Sequence, residues 1–296
     1  MEIFLQQVLN GLSIASVIAL VAVGITMIFG LTRIVNFAHG ELLMVGGYAV
    51  WWIVTNAGIG GERFGLYIVG FVIAVLLVGA FGFTLERGLF RFTLDSPING
   101  FIVSIGLIII LQHFVADIFT SEQQAIQKPI ETVWDVGGVR VSAMRIFVIG
   151  ATAALVVGLY LGINKSRWGR ALRASAADRD TAALMGIPVR RYIMLVFFAG
   201  SAIAGLGGAL LIGLFPITPF IGSSFVIKGF AVAIIGGLGN VTGAVIAAIL
   251  LGLLESMGAG YFAPGWVNAY AFGLMIVILL VRPQGLLRGS ADAQVS

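Results

Sequence analysis

Cysteine is absent from this sequence of 296 residues, and charged residues make up only 10% of it. The lack of cysteine excludes disulfides, thiolate metal sites and cysteine nucleophiles. The shortage of charge is equally informative, because soluble domains carry about 25% charged residues. With 59% hydrophobic residues and a mean hydropathy of +1.08, the sequence predicts an all-α polytopic membrane protein with a single transmembrane domain over residues 1–296.

Two further absences narrow the possible chemistry. No lysine follows a glycine in this sequence, so the Gly-Lys-Ser/Thr core of a phosphate-binding loop is missing and the chain is not itself an ATPase. The two histidines, His39 and His113, do not form a metal-binding spacing, and His39-x-Glu41 lacks the i, i+4 register of a helical pair. We therefore expect no catalytic residue, no metal and no cofactor in this chain, and the net charge of +4 reflects membrane topology rather than nucleic-acid binding.

Hydrophobic segments dominate the chain. Those long enough to cross a core of about 30 Å lie near residues 5–31, 64–85, 99–120, 143–163, 192–214 and 266–282, and shorter ones lie at 41–57, 224–238 and 242–257. They predict about nine membrane crossings, within a range of eight to ten. The first segment lacks the basic start and small-residue cleavage site of a signal peptide, so we expect it to be retained.

Loop charges orient these crossings. Basic residues collect in the loop 164–191, in the stretch Glu86 to Asp95 and in the tail after Leu280, and such loops stay on the cytoplasmic side. Three basic residues balance three acidic ones between Ser121 and Arg145, and the loop 121–143 is predicted to be external. Nine crossings with the N-terminus outside and the C-terminus in the cytoplasm satisfy all of these assignments.

Two polar or glycine-rich stretches interrupt the apolar run, and transporters place their pathways at such broken helices. One spans Gly30 to Glu41 and the other spans Gly236 to Gly243. Irregular backbone at membrane depth is tolerated only where protein or a water-filled cavity satisfies it. These stretches supply the predicted substrate path: Asn36, Phe37, His39, Gly40, Gly236, Gly237, Gly239 and Asn240.

Single polar residues near these stretches have simpler interpretations as well. Asn36 and His39 can satisfy freed backbone groups, and Glu41 can cap the next helix or pair with Arg33. Lys228 can extend its ammonium group to the membrane surface. The alternative places Lys228 with Glu255 and Asp117 on an external rim that receives a binding protein.

The loop 164–191 has seven basic and two acidic residues. Ser175 followed by Asp178 is a capping-box pattern, and Gly186 before Pro188 ends a helix. This predicts a short, alanine-rich cytoplasmic helix, although a plain solvated loop is the alternative. Its surface for a partner is predicted to include Ser175, Ala176, Ala177, Asp178, Asp180, Ala182, Ala183 and Gly186.

Small residues four apart in the next helix, such as Gly200 and Ala204, predict close packing in the core or at a seam between subunits.

Four stretches together resemble the permease subunits of branched-chain amino acid ABC importers, and the resemblance covers nearly the whole chain. They are Asn36-Phe-Ala-His-Gly-Glu41, Gly236-Gly-Leu-Gly-Asn240, Arg282-Pro-Gln-Gly-Leu286 and the loop run Asp180-Thr-Ala-Ala-Leu-Met-Gly186. The first is most similar to the shorter of the two permease types. The resemblance implies a bacterial inner-membrane permease paired with a sister permease, two cytoplasmic ATPases that bind ATP and Mg, and a periplasmic substrate-binding protein. It also implies that the short helix couples to a groove of the ATPase.

The sequence leaves two questions open. Amide, histidine and glycine groups suit leucine, isoleucine, valine, urea or short amides alike, and pairing with itself or with a sister permease is not readable. A gradient-driven carrier acting without an ATPase is the second hypothesis. It is disfavoured here, because Asp117 and Glu255 are predicted near outer helix ends and Glu41 near an inner one, whereas such carriers bury acidic relays.

Overall fold

The computed structural model describes residues 2–56, 63–94, 96–262 and 264–287, which form eleven α-helices and one β-hairpin. Asp95 and Arg288, two residues of the predicted cytoplasmic stretches, lie outside the described residues. The helices are α1 (Glu2–Thr32), α2 (His39–Asn56), α3 (Arg63–Gly88), α4 (Pro97–Phe119), α5 (Ala143–Lys165), α6 (Arg167–Ala177), α7 (Arg179–Leu184), α8 (Val189–Ile212), α9 (Ile221–Gly236), α10 (Val241–Tyr261) and α11 (Val267–Val281).

A helix lies at each of the nine predicted apolar segments, so the all-α polytopic class is confirmed. Six of these helices are long and apolar enough to cross a membrane alone: α1, α3, α4, α5, α8 and α10. At 1.5 Å per residue, the 16-residue α9 and 15-residue α11 reach only about 22–24 Å. The count of nine crossings therefore stays a prediction.

The core is built around α1 and α8, which are buried along most of their lengths. Helix α1 packs against α8, α9 and α10, and α8 packs against α1, α2 and α3. In contrast, α4, α5 and α11 bury few residues and turn large apolar side chains outward, including Ile102, Phe114, Val157 and Leu280. These outer faces are available to lipid or to partner subunits.

Glycines of α8 permit this close packing. A Cβ placed on Gly205 would lie 2.7 Å from Val78 of α3, and one on Gly46 of α2 would overlap the Gly205 backbone. A Cβ on Gly200 would lie 3.1 Å from the Gly24 carbonyl oxygen of α1. The small residues predicted along this helix therefore pack within the core of the chain rather than at a seam between subunits.

The loop between α4 and α5 adds the one departure from an all-helical fold within the described residues. Strands β1 (Val133–Val136) and β2 (Val139–Ser142) pair antiparallel, and Gly137 and Gly138 form their two-residue turn with positive φ values of 61° and 82°, as hairpin turns require. Earlier in the loop, Gln124 and Ile217 exchange two backbone hydrogen bonds of 2.8 Å. This pairing ties the loop to the segment between α8 and α9.

Candidate functional site

The first predicted break is a true interruption of the helical backbone. Helix α1 ends at Thr32, Arg33 takes a left-handed φ of 59°, and α2 begins only at His39. The Asn36 side-chain oxygen accepts a hydrogen bond of 3.0 Å from the Ala38 backbone N–H. Asn36 thus satisfies backbone freed by the break, as predicted for it.

The break returns the chain to the middle of the bundle. A Cβ on Gly24 of α1 would overlap the His39 ring and lie 2.8 Å from the Gly200 carbonyl oxygen of α8. Gly24 precedes the end of α1 by eight residues, so the His39 ring lies about 12 Å inside that end. Gly200 is also near the midpoint of α8. Helix α2 therefore begins inside the bundle, and the irregular segment 33–38 connects it to the end of α1.

Helix α9 begins at the same level. Gly222, its second residue, lies so close to Gly40 that a Cβ on Gly40 would overlap the Gly222 carbonyl. The N-termini of α2 and α9 thus meet inside the bundle. Because each N-terminus carries unpaired amides and a partial positive charge, the junction favours a negatively charged or hydrogen-bond-accepting group.

Glu41 occupies this junction. Its side chain is inaccessible to solvent, and its Oε1 accepts hydrogen bonds from Gln112 Nε2 of α4 at 2.9 Å and from Ser223 Oγ of α9 at 3.4 Å. Gln112 Nε2 also lies 2.7 Å from Ser223 Oγ. The expectation that Glu41 pairs with Arg33 is wrong, because the carboxylate reaches α4 and α9 instead. We call Glu41, Gln112 and Ser223 the central polar cluster.

Two predicted path residues flank this cluster. His39 is fully buried, and neither ring nitrogen has a hydrogen-bond partner among the described residues. Phe37 stacks on Phe230 of α9 with ring centroids 4.5 Å apart and meets Phe101 of α4 edge-on at 5.4 Å. Phe37, His39 and Gly40 therefore lie together where α1, α2, α4 and α9 converge.

The second glycine-rich stretch is a tight turn at the other end of α9. Gly237 and Gly239 have φ values of 98° and 90°, and the Asn240 side-chain oxygen caps α10 by accepting from the Gly243 N–H at 3.0 Å. The chain after α11 closes this turn, since Leu286 donates its backbone N–H to the Ile235 carbonyl at 2.7 Å. The structure therefore does not bring Gly236, Gly237, Gly239 and Asn240 to the central polar cluster, and their place in a substrate path stays a prediction.

Sequence reasoning missed the second discontinuity inside the bundle, the segment 213–220 before α9. Its signal was present in Phe215-Pro-Ile-Thr-Pro-Phe220, where two prolines three residues apart prevent a regular helix. It also missed Gln112 and Ser223, for which the sequence offers no signal because they lie 71 and 182 residues from Glu41.

Lys228 and Glu255 form an ion pair between α9 and α10, with Nζ and Oε2 2.8 Å apart. Glu255 is 2% exposed, so the pair lies between the two helices. Asp117 is exposed on α4 and takes no part in it. The pair neutralises two charges that would otherwise be costly among apolar helices.

The loop 164–191 forms two helices rather than the single one predicted. Ser175 is not an N-cap; it is buried within α6 and donates its hydroxyl to the Ala171 carbonyl at 2.9 Å. Asp178 caps α7 instead, accepting from the backbone N–H groups of Asp180 and Thr181 at 3.0 and 3.1 Å. Its hydrogen bonds with Thr181 hold the pKa of the Asp178 carboxyl below its usual range.

The far end of α7 agrees with prediction and exposes an apolar tip. Gly186 takes a left-handed φ of 81°, and Ile187 N–H donates to the Ala182 carbonyl at 3.1 Å, which is the Schellman pattern. Ala182 is buried and faces the protein, contrary to its predicted surface role. Leu184 and Met185 are 88% and 79% exposed; we call these two residues the α7 tip.

A cavity of about 430 Å³ lies between this loop and the ends of the long helices. It is lined by residues of α1, α5, α6 and the turn before α10, among them Gly30, Leu31, Asn164, Ala176, Ala177, Gly239 and Asn240. Residues of α6 thus share one cavity with parts of both glycine-containing stretches.

Interrupted helices whose N-termini meet within a bundle of apolar helices are typical of membrane transport proteins. The chain belongs to the family of permease components of branched-chain amino acid transport systems, whose model matches residues 7–280. This confirms the resemblance drawn from the four sequence stretches, and it identifies a transport subunit rather than an enzyme.

Relatives within this family cover nearly the whole chain. The high-affinity branched-chain amino acid transport system permease protein LivH of Escherichia coli (strain K12) is 35% identical over 294 residues, covering 96% of this chain and 95% of the relative. The corresponding permease BraD of Pseudomonas aeruginosa is 36% identical over 299 residues, with the same coverage. A probable LivH of Methanocaldococcus jannaschii is 27% identical over 292 residues, covering 95% and 92%.

Proposed function

We propose that this chain is the inner-membrane permease subunit of an ABC importer and forms half of a translocation pathway for leucine, isoleucine, valine or a related small amino acid. The observation that carries the proposal is the family match over residues 7–280 together with 35% identity to permeases named for branched-chain amino acids. The same names favour these substrates over urea or short amides. The remaining subunits are a sister permease, two cytoplasmic ATPases and a periplasmic substrate-binding protein.

Substrate movement is assigned to the region where α2 and α9 begin. The path includes Asn36, Phe37, His39 and Gly40 beside the central polar cluster, where the N-termini of α2 and α9 meet. Gly236, Gly237, Gly239 and Asn240 belong to its cytoplasmic end, where Gly239 and Asn240 line the cavity described above. The subunit lies with its N-terminus outside and its C-terminus in the cytoplasm.

Energy enters through the cytoplasmic loop. ATP and Mg bind the partner ATPases, and the α7 tip inserts into an apolar groove of one of them. Two large apolar side chains this exposed are unfavourable in water and fit a surface that is buried in the assembly. Ala177, Ala183, Asp178 and Asp180 surround this contact, while Ser175, Ala176 and Ala182 hold the two helices to the rest of the chain.

The main argument against a gradient-driven carrier was the expected lack of buried acidic residues, and the structure removes that argument. It does not, however, supply evidence for such a carrier. Glu41 and Glu255 are both buried, contrary to the expectation that no acidic residue lies at depth. However, Glu41 is bound by Gln112 and Ser223, and Glu255 is paired with Lys228. Bound in this way, the two carboxylates do not form a proton relay, and the family favours the importer.

Transport by reconstituted components tests the proposal directly. Proteoliposomes holding this chain, the sister permease and the two ATPases are expected to accumulate leucine and valine when given ATP and the liganded binding protein, and to accumulate urea poorly. Vesicles holding this chain alone are expected to accumulate none of them. ATP-independent solute movement by the chain alone would show a carrier instead.

A further inference from the structure

Arg179, the first residue of α7, reaches across the fold to the end of α1. Its Nε donates a hydrogen bond of 2.8 Å to the backbone carbonyl of Leu31, 148 residues earlier in the chain. The last carbonyls of a helix lack an intrahelical donor, so this guanidinium occupies an acceptor that α1 leaves free. A positive group at a helix C-terminus is also favoured by the helix dipole.

The acceptor lies immediately before the irregular segment. Leu31 is followed by the end of α1 at Thr32, by the left-handed Arg33 and by the segment 33–38 that leads to α2. That segment has no helical hydrogen-bond ladder to hold it. Its far end places His39 and Glu41 at the junction with α9. A displacement of the Leu31 carbonyl therefore acts on the irregular segment that leads to His39 and Glu41.

The other side of the contact is held firmly to α7. Asp178 accepts two backbone N–H groups and the Thr181 hydroxyl, the last at 2.6 Å. The opposite end is closed by the bond from Ile187 to Ala182. Helix α7 thus moves as a unit with Arg179 at its base and its exposed apolar tip at the other end.

The chain itself connects α7 to α8 and not to the segment 33–38. It enters α8, whose residues from Gly200 to Ile212 are buried against three helices. Tightly packed interiors resist gradual displacement, so α8 is poorly suited to transmit a small local movement. The Arg179 contact bypasses this packed helix.

We propose that Arg179 is a positioning residue that couples movement of α7 to the segment 33–38, and so couples the partner ATPase to the central polar cluster. The inference rests on the proposed function, because it needs an ATPase that moves α7. Arg179 is not assigned to ATPase binding or to contact with substrate.

The test compares Arg179→Gln with Arg170→Gln in the complete importer. Arg170 is exposed on α6 and lies in the same loop, so its variant removes the same charge without breaking the bond to Leu31. Arg179→Gln is expected to retain the ATPases on purification and to hydrolyse ATP, while leucine uptake per ATP falls about tenfold, as for the loss of one hydrogen bond to a charged group. Arg170→Gln is expected to stay within about twofold of wild type.

Hydrogen–deuterium exchange supplies a readout that does not depend on transport. In Arg179→Gln, the amides of residues 33–38 are expected to exchange faster than in wild type, and in Arg170→Gln they are expected to be unchanged. Arg179→Lys retains the charge but lacks Nε, and we expect uptake per ATP between those of Arg179→Gln and wild type.

Three results would overturn the inference. The first is wild-type uptake per ATP in Arg179→Gln, and the second is unchanged amide exchange at residues 33–38 in that variant. The third is loss of the ATPases from Arg179→Gln, which would place Arg179 in their interface. If wild-type protein itself retains no ATPase, the proposed function fails first, and that outcome is distinguishable because it does not depend on the variant.

Discussion

Gly46 of α2 faces Gly205 of α8 so closely that a single methyl group decides whether the two helices can pack. A Cβ on Gly46 would lie 2.6 Å from the Gly205 Cα atom, inside any acceptable contact. The neighbour is backbone, which cannot rotate away as a flexible side chain could. Gly158 of α5 provides the contrast, because a Cβ there meets nothing within 4 Å.

Replacing each of these glycines by alanine separates two effects on stability, the clash of the added methyl group with a neighbouring helix and the higher helix propensity of alanine. Gly46→Ala is expected to destabilise the protein by about 1–3 kcal/mol, as overpacked cores do. Gly158→Ala is expected to cause no loss, because alanine favours a helix by up to about 1 kcal/mol over glycine. Thermal unfolding of the isolated chain in one detergent measures both. Equal midpoints for the two variants would contradict the packing argument.

Residues with local partners were predictable from sequence, and those with distant partners were not. Asn36 and Gly186 act through backbone groups within a few positions. Their predicted local roles, a bond to freed backbone and the end of a helix, are confirmed. Ser175 was mistaken for a cap because Asp178, three residues later, forms caps equally well. The partners of Glu41 follow from how α4 and α9 are placed, which no local pattern records.

Among the elements, α7 has the clearest division between a fixed and an available surface. Ala182 packs against the rest of the protein, while both side chains of the α7 tip are exposed in the isolated chain. The turn after α3 offers a comparison, since Leu89 and Phe92 are 40% and 76% exposed there. Both pairs lie in stretches predicted to be cytoplasmic, and the proposed function assigns the ATPase to the α7 tip.

Serine substitutions at the two pairs test this assignment. The double variant Leu184→Ser/Met185→Ser is expected to weaken ATPase binding by at least about 2 kcal/mol, roughly thirtyfold in Kd, through the loss of two buried apolar side chains. The double variant Leu89→Ser/Phe92→Ser is expected to bind normally. Titration of the purified ATPase onto the permease in detergent gives both constants, and equal weakening would remove the special role of the tip.

Helix positions were predictable at this scale because long apolar runs have few alternatives in lipid. The break before α9 was not predicted, since Phe215 to Phe220 contains no charge and continues the apolar character of its surroundings. The second break was predicted at the glycine cluster that begins at Gly236 instead. In the structure it makes an ordinary tight turn, because Asn240 caps α10 and the chain after α11 covers it.

At the scale of the whole molecule, nine crossings require three shorter helices, α2, α9 and α11, in addition to the six long apolar ones. Helix α2 is extended by the segment 33–38 and α9 by the segment 213–220, and α11 has to cross as the third. The count of nine rests on this interpretation and on loop charge. An odd number places the two ends of the chain on opposite sides of the membrane.

The absence of cysteine makes that topology directly measurable. Single cysteines at Ile3, Val136, Met185 and Arg282, all exposed in the structure, report on the N-terminal end, the hairpin, the α7 tip and the end of α11. A membrane-impermeant maleimide is expected to label Ile3→Cys and Val136→Cys in intact spheroplasts. Met185→Cys and Arg282→Cys are expected to react only after permeabilisation. Labelling of both Ile3→Cys and Arg282→Cys from one side would require an even number of crossings, and one half-helix would then enter and leave on the same side.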